Sequence, residues 1–219
     1  MIYYIFKDGK KRDIHIGKLV CLARTYRKHA QEMKSELPKT PLLFLKPSTS
    51  VIFNGGTIVK PEMSDCIHHE VELGVVIDKK CKNVSKNNSL DYVLGYALCL
   101  DITARDIQSE YKKKGWPWGI AKSFDTFAPI SDVVMKEEVT DPNNLSISLK
   151  VNKELKQESN TKNMIFSVEQ IIEFISKIMT LEPGDLIMTG TPEGVGEIKK
   201  GDILEARLED ICNLQVIVK

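Results

Sequence analysis

One ten-residue segment, HHEVELGVVI at positions 68–77, constrains the fold more than any other part of the chain. Its apolar residues and two-residue period predict a β-strand, whose side chains alternate between two faces. Glu70 and Glu72 therefore point to the same side, roughly 6–7 Å apart. Neighbouring carboxylates repel each other and lose solvation when buried, and a hard divalent cation between them relieves both penalties. A solvated strand face is the alternative, but the apolar flanks favour a central strand.

The bulk composition is that of an ordinary globular protein. The 219 residues suit one domain, and 42% hydrophobic with 28% charged residues are typical of a chain that folds in water. A net charge of +1 predicts no strong field of one sign, so nucleic acid and anionic membranes are not expected partners. No apolar run reaches the roughly 18 residues that a membrane-spanning helix needs.

The cysteine pattern predicts a reducing compartment. The chain has five cysteines, which are scattered, odd in number and without a C-x-x-C pair. The N-terminus shows neither a secretory signal nor a transit peptide. We therefore expect a cytoplasmic protein, with the mitochondrial matrix as the alternative if the source is eukaryotic.

Strand patterns dominate the chain. Short strands are predicted over residues 1–23 and a buried strand over 42–45, and further strands are predicted at 57–59, 68–77, 92–100, 128–134, 145–151, 153–157, 186–188, 203–207 and 214–218. Because strands and helices do not alternate regularly, the fold class is α+β and mostly β. We predict a mixed β-sandwich roll with few short helices, not a doubly wound sheet.

Three segments are predicted to be helical. Residues 24–36 are polar and compatible with a helix. A second helix is predicted over about 103–114, with Thr103 and Asp106 as its capping pair and Gly115 just past its end. The third runs from Ser167, paired with Gln170, to about residue 179, with an apolar stripe of isoleucines.

Ionisable residues stand where apolar runs end, at Lys46, Asp101 and Lys122, and such positions often line a functional rim. Asp101 supplies a third oxygen ligand beside Glu70 and Glu72. Three carboxylates suit Mg²⁺ or Mn²⁺ better than Zn²⁺. His68 shares the glutamate face by alternation, as a ligand or as a structural residue.

Two further pairs lie at helical spacing. Arg105 and Gln108 share one helix face, where Arg105 could hold a substrate carboxylate; pairing with Asp101 or plain solvation is the alternative. His29 and Glu32 fit a general base held by a carboxylate, although a surface pair is the commoner outcome of this spacing. The lysine run at 112–114 is interpreted as a solvated helix end.

The segment TGTPEGVG at 189–196 is rich in glycine and hydroxyl groups. It lacks the Gly-Lys-Ser/Thr ending of a phosphate-binding loop, so nucleotide binding is not predicted. Its backbone N–H groups and threonines could contact an anionic substrate. A tight turn between strands is the alternative.

Together these segments resemble the fumarylacetoacetate hydrolase superfamily, most closely its acylpyruvase/oxaloacetate decarboxylase-like branch. The resemblance extends from about residue 18 to the C-terminus. It is carried by the motifs FLKPS (44–48), HHEVELG (68–74), GY (95–96), DITARD (101–106), AKSF (121–124) and TGTPEGVG (189–196).

The resemblance implies a role for each matching residue. The Mg²⁺ or Mn²⁺ ligands are Glu70, Glu72 and Asp101. The catalytic residues are His29 and Glu32, on a mobile lid over about residues 25–38, together with Lys122. The substrate-binding residues, among which we place Lys46, are Arg24, Lys46, Arg105, Gln108 and Thr191. The family fold is a β-rich roll and commonly a homodimer, so residues 1–219 are expected to form one catalytic domain with a strand extension at 1–17.

The implied function is Mg²⁺-dependent cleavage of C–C bonds in small 2-oxo acids. It comprises hydrolysis of an acylpyruvate such as acetylpyruvate or fumarylpyruvate, decarboxylation of oxaloacetate through a metal-bound pyruvate enolate, or both. Oxaloacetate keto–enol tautomerisation, or isomerisation or hydration of longer 2-oxo dioates, is the alternative. A non-catalytic binding module stabilised by metal is a remote one.

Overall fold

The computed structural model describes residues 2–33 and 35–219. Over these residues the chain forms sixteen strands and three α-helices, which confirms the predicted mostly-β fold. In chain order they are β1 (Leu19–Ala23), α1 (Arg27–Glu32), β2 (Leu42–Lys46), β3 (Val51–Phe53), β4 (Thr57–Ile58), β5 (Ile67–His69), β6 (Val71–Ile77), β7 (Val93–Leu100), β8 (Thr103–Ala104), α2 (Arg105–Lys114), β9 (Ala128–Ile130), β10 (Val134–Met135), β11 (Ser146–Val151), β12 (Glu154–Asn160), α3 (Val168–Ile178), β13 (Leu186–Met188), β14 (Gly196–Ile198), β15 (Ile203–Leu208) and β16 (Cys212–Val218).

The strands of the described residues build three sheets. The largest has eight strands in the order β2-β1-β13-β6-β7-β9-β3, with β10 paired to β7. A five-stranded sheet has the order β12-β11-β15-β16-β4, and a small sheet the order β14-β5-β8. Within β6, Val75 joins the core shared with α3 and the five-stranded sheet, whereas Val76 joins the cluster that includes Tyr4 and Phe6. The largest sheet is therefore covered on both faces.

The N-terminal segment differs from its prediction. Residues 2–17 make isolated bridges, such as Tyr3 with His15 and Phe6 with Val133, and the first named strand starts at Leu19. The segment is held by burying apolar side chains, including Phe6 at 3% exposure. Short strands over residues 1–23 are thus wrong except at β1. Met1 lies outside the described residues.

The strand β2 is also less buried than predicted. It stands at one end of the largest sheet and pairs only with β1 within that sheet. Leu42 and Leu45 remain 40% and 48% exposed, because an edge strand has no neighbour on its outer side.

The helix α2 begins two residues later than its predicted start at Thr103. Thr103 lies instead in β8, where it pairs with His68, and the helix has no side-chain cap. Asp106 accepts hydrogen bonds from Ser64 and from the backbone of residue 65. The predicted end is confirmed, since Gly115 has a left-handed φ of 68°.

The other two helices follow their predictions in different degrees. Ser167 and Gln170 form the predicted capping box of α3. The helical part of residues 24–36 is only α1, at Arg27–Glu32, and Lys34 lies outside the described residues. No helix in the described ranges is long and apolar enough to cross a membrane.

A bend in one long hairpin is the feature that positions the site. β6 pairs with β7 in the largest sheet, and β5 pairs with β8 in the small sheet. The chain passes between the two sheets at Glu70 and returns after β7 through Asp101. The N–H of Asp101 donates to the carbonyl of Glu70 at 2.8 Å. The predicted single strand at 68–77 is therefore interrupted at Glu70, and two carboxylates stand side by side at the bend.

Candidate active site

The bend gathers three buried carboxylates. Ligand oxygens of Glu70, Glu72 and Asp101 lie within 4.8 Å of one another. Glu70 and Asp101 come from the interruptions of the two strands, whereas Glu72 comes from β6 itself. The structure thus brings together the three residues that the sequence predicts as metal ligands.

The environments of Glu70 and Glu72 are opposite. Lys122 Nζ lies 2.9 Å from Glu70 Oε2, and the guanidinium of Arg105 donates to Oε1. Burial opposes ionisation of Glu70, but these two cations hold its pKa well below the ordinary value. Burial, with Asp101 and Glu70 close by, raises the pKa of Glu72 well above the ordinary value. Positive charge is therefore lacking on the Glu72 side.

The unpartnered oxygens fit a metal ion. Glu72 Oε2 accepts the N–H of Gly190 at 2.8 Å, but Oε1 is buried and has no hydrogen-bond partner among the described residues. Lys122 Nζ also donates to Asp101 Oδ2, so this ammonium bridges Asp101 and Glu70 and leaves Glu72 without a cation. A donor set of carboxylate oxygens suits a hard divalent cation such as Mg²⁺ or Mn²⁺.

Lys46 lies away from the cavity, in contrast to its predicted place among the substrate-binding residues. Its side chain is 0% exposed, and Nζ donates to the backbone carbonyls of Ile102, Lys122 and Phe127. Nζ is also 2.8 Å from Asp101 Oδ1. A position at the end of a strand does not reveal the direction of the side chain. Here the side chain of Lys46 points to these backbone carbonyls and not into the cavity.

The first turn of α2 contributes a polar wall. The guanidinium of Arg105 donates to Gln108 Oε1 at 2.7 Å as well as to Glu70. The predicted shared face of Arg105 and Gln108 is confirmed. Arg105 neither pairs with Asp101 nor points into solvent, which removes both alternatives.

His29 and Glu32 form a pair beside the cavity. His29 Nδ1 lies 3.2 Å from Glu32 Oε2, and His29 is only 6% exposed. The N–H of Gly194 donates to Glu32 at 3.1 and 3.2 Å from its two oxygens. This contact joins α1 to the glycine-rich loop, so the pair is not a free surface pair.

The glycine-rich loop at 189–196 holds protein carboxylates. Its N–H groups at Gly190 and Gly194 are directed at Glu72 and Glu32, whereas the sequence predicted contacts with an anionic substrate. Gly190 has a φ of 93°, and a Cβ there would lie 2.0 Å from Thr25 Oγ1. Glycine is therefore required for this close approach.

Gln157 is a residue that the sequence analysis missed. Its Oε1 accepts the N–H of Val71 at 3.0 Å and lies 2.9 Å from His69 Nδ1, while Nε2 donates to Thr191 Oγ1 at 2.9 Å. Gln157 thus links β6, which carries Glu72, to the glycine-rich loop at 189–196. A single glutamine in the polar strand β12 gives no local signal for this role. His68, in contrast, forms no hydrogen bond or ion pair with these carboxylates among the described residues, and burial with nearby Arg105 lowers its pKa to about 4.

A cavity of about 260 Å³ opens on these groups. Seven of the predicted residues line it, namely Arg24, His29, Glu70, Arg105, Gln108, Lys122 and Thr191. Glu72, Asp101 and Glu32 are not among the lining residues, and Glu32 is joined to the cavity through its contact with His29. Lys112 and Trp118, which the sequence analysis did not select, also line the cavity.

The fold and the buried carboxylates define a β-rich protein with a candidate cation centre where two sheets meet. The comparison with known families gives the particular class: residues 18–219 match "Fumarylacetoacetate (FAA) hydrolase C-terminal", and the chain belongs to this family of enzymes.

Relatives and solved structures agree with this assignment. The chain is 50% identical over 201 residues to "Oxaloacetate tautomerase FAHD1, mitochondrial" of Bos taurus, covering 92% of this chain and 91% of the relative. It is 32% identical to the fumarylpyruvate hydrolase of Pseudomonas aeruginosa solved in complex with Mn²⁺ and pyruvate, with a TM-score of 0.95 and coverage of 99% and 95%. It is 38% identical to a 2-hydroxyhepta-2,4-diene-1,7-dioate isomerase from Mycobacterium marinum, with a TM-score of 0.83 and coverage of 94% and 75%. Processing of 2-oxo acids is the activity to which these names point.

Proposed function

We propose that this protein is a Mg²⁺-dependent enzyme of small 2-oxo acids and that keto–enol tautomerisation of oxaloacetate is its reaction. The observation that carries the proposal is the cavity in which Lys122, Arg105 and His29 surround the carboxylate cluster. The 50% identity to oxaloacetate tautomerases supports the choice among the family's reactions.

The charge of the site supports a dianionic substrate. The carboxylates of Glu70, Glu72 and Asp101 are matched by three cations, Lys46, Lys122 and Arg105. A divalent cation added to this balanced set leaves two positive charges in excess. Oxaloacetate carries two carboxylates, which this excess and the further cations that line the cavity, Arg24 and Lys112, would attract.

Each residue has a definite part in the reaction. Glu70, Glu72 and Asp101 would hold the cation, which supplies Lewis acidity to the oxygens of the 2-oxo acid. Lys122 places an ammonium beside the oxygen that becomes negative when the enol loses its proton. Glu32 accepts from His29 Nδ1 and thereby leaves Nε2 free to carry the proton that is lost at oxygen and gained at the adjacent carbon.

The decisive assay follows the conversion of enol to keto oxaloacetate by ultraviolet absorbance. We expect conversion above the spontaneous rate with Mg²⁺ and loss of that excess with a chelator, restored by Mg²⁺ or Mn²⁺. Pyruvate formation, measured in the same samples, reports decarboxylation. Conversion at the spontaneous rate with both metals would overturn the proposed reaction.

A second candidate is hydrolysis of acylpyruvates, and the His29–Glu32 pair is the observation that favours it. Hydrolysis needs a base that activates water, which this pair supplies at 3.2 Å separation. We expect acetylpyruvate to yield pyruvate and acetate in the presence of Mg²⁺ if this candidate holds. Comparing kcat/KM for acetylpyruvate and oxaloacetate ranks the two reactions.

We further propose one catalytic domain over residues 1–219, assembled as a homodimer in a reducing compartment. The exposed edge strand β2, with Leu42 and Leu45, supports association with a second copy. The five free cysteines support the cytoplasm or the mitochondrial matrix. Light scattering should give about twice the 24.8 kDa chain mass, and imaging of the tagged chain in its own cells gives the compartment.

A further inference from the structure

Two cations at the cavity have no anionic partner in the part of the chain that the structure describes. Arg24 and Lys112 both line it, and neither forms an ion pair with a carboxylate of the described residues. Lys122 and Arg105 line the same cavity but are bound to Glu70. Positive charge that no protein carboxylate neutralises is therefore directed into the space where a substrate would lie.

The position of Lys112 follows from the helical repeat. Lys112 stands seven residues after Arg105 and four after Gln108 on α2, so the three side chains share one face of the helix. Lys112 and Lys113 are both exposed, but Lys113 is turned away from that face and does not line the cavity. The interpretation of 112–114 as a solvated helix end is confirmed, since all three lysines are exposed in the last turn of α2, and Lys112 in addition lines the cavity.

An aromatic platform holds the ammonium of Lys112. Its Nζ lies 5.4 Å from the ring centroid of Trp118, within the range of a cation–π contact. The ring of Trp118 packs in turn on Phe44, with 5.1 Å between centroids. Both aromatic residues line the cavity, so this contact places the exposed ammonium of Lys112 beside the cavity wall.

Arg24 is held at a cost to the backbone. It directly follows β1 and has a φ of 60°, in the left-handed region that is strained for a residue with a Cβ. Strained residues persist where the surrounding structure imposes the conformation, and they cluster at active sites. Partial burial, with Arg105, Arg24 and Lys122 nearby, lowers the pKa of Lys112 to about 8. An anion among these cations would relieve their repulsion.

We infer that Lys112, together with Arg24, forms a second anion subsite that binds the distal carboxylate of a 2-oxo dicarboxylate. Lys112 thereby determines specificity, because acetylpyruvate ends in a neutral acetyl group and offers this subsite nothing. The inference rests on the proposed function and deepens it by naming the side chains that would bind the second carboxylate of the substrate.

The test compares two unreactive ligands by calorimetry in the presence of Mg²⁺. Pyruvate carries the 2-oxo acid group alone, and oxalylglycine adds a distal carboxylate. We expect Lys112→Met to weaken binding of oxalylglycine about 10-fold and to leave pyruvate unchanged, because one charge-assisted hydrogen bond is lost. Lys112→Arg should restore most of the affinity. Lys113→Met, one position further on the same helix, should bind both ligands as the wild type does.

Kinetics provide a second readout. Lys112→Met should raise KM for oxaloacetate about 10-fold with kcat nearly unchanged, and should not alter kcat/KM for acetylpyruvate if that substrate is hydrolysed. Equal weakening of both ligands, or no change in either, overturns the assignment of Lys112 while leaving the proposed function intact. A wild-type protein that binds neither ligand overturns both.

Discussion

The inner and outer ends of the cavity carry opposite arrangements of charge. At the inner end, buried carboxylates meet buried cations: Lys122 bridges Glu70 and Asp101, and Lys46 lies behind Asp101. At the outer end, Arg24 and Lys112 line the wall without an anionic partner among the described residues. The inner charges hold one another in place, and the outer charges are left for a ligand. The buried ion pairs thus fix the positions of the side chains at the inner end, whereas the unpaired cations at the outer end favour an anionic ligand.

Removing one inner carboxylate should have the largest effect. We expect Glu72→Gln to reduce Mg²⁺-dependent turnover to the background rate, because a ligand of the cation is lost. Without metal, the variant should melt no lower than the wild type, because burial next to Asp101 and Glu70 already disfavours the charge of Glu72. Mg²⁺ should raise the melting temperature of the wild type only. A Mg²⁺-induced rise in the variant would contradict the metal assignment.

Loss of the buried lysine should come next. Lys46→Met leaves three backbone carbonyls without their donor and removes one of the two lysines paired with Asp101, so we expect a loss of about 3–5 kcal/mol in the free energy of unfolding. Chemical denaturation measures it.

Lys18→Met is the matched control for Lys46. Lys18 also pairs with a buried aspartate, Asp185, but its side chain is 31% exposed. Its replacement should cost clearly less and leave turnover intact. An equal loss of unfolding free energy in the two variants would show that the buried Lys46–Asp101 pair contributes no more to stability than the partly exposed Lys18–Asp185 pair.

The charge of Glu32 should matter less than these inner groups and act on rate alone. Glu32→Gln can still accept the N–H of Gly194 but no longer stabilises a protonated His29. We expect kcat to fall about 100-fold with little change in melting temperature. Lys28→Met, on the same helix with an exposed lysine, should leave kcat unchanged. An unchanged kcat in Glu32→Gln would remove the pair from the mechanism.

The smallest effect should come from a cap remote from the cavity. Ser167→Ala removes the capping box of α3 and should cost about 1 kcal/mol in the free energy of unfolding. Turnover and Mg²⁺ affinity should not change. The variant would then serve as a control in which stability falls but function does not. A parallel fall in Mg²⁺ affinity would show that the site responds to general loosening of the fold.

The sequence predicts features that are local in the chain. The alternation at Glu70 and Glu72, the capping box at Ser167 and the helical spacing of Arg105 with Gln108 all follow from short-range periodicity. The site as a set was recognisable because several motifs occur in the order of a known family.

Features that depend on tertiary packing were not predictable in this way. The direction of Lys46 depends on backbone carbonyls 56 to 81 residues away in sequence. The start of α2 moved because Thr103 pairs with His68 across the small sheet. Gln157 reaches the loop from another sheet altogether, so its own neighbours in sequence carry no trace of the contact.

The bend at Glu70 and Asp101 makes the cation site sensitive to the angle between two sheets. Two of the three carboxylates sit on the hinge itself, so any rocking of the small sheet against the large one changes the oxygen spacing. A bound ion would restrain the motion of the two sheets relative to each other. Mg²⁺ should therefore slow deuterium exchange of the amides in β5 and β8, and substitutions in β14, which touches no ligand, should tune how tightly the ion is held.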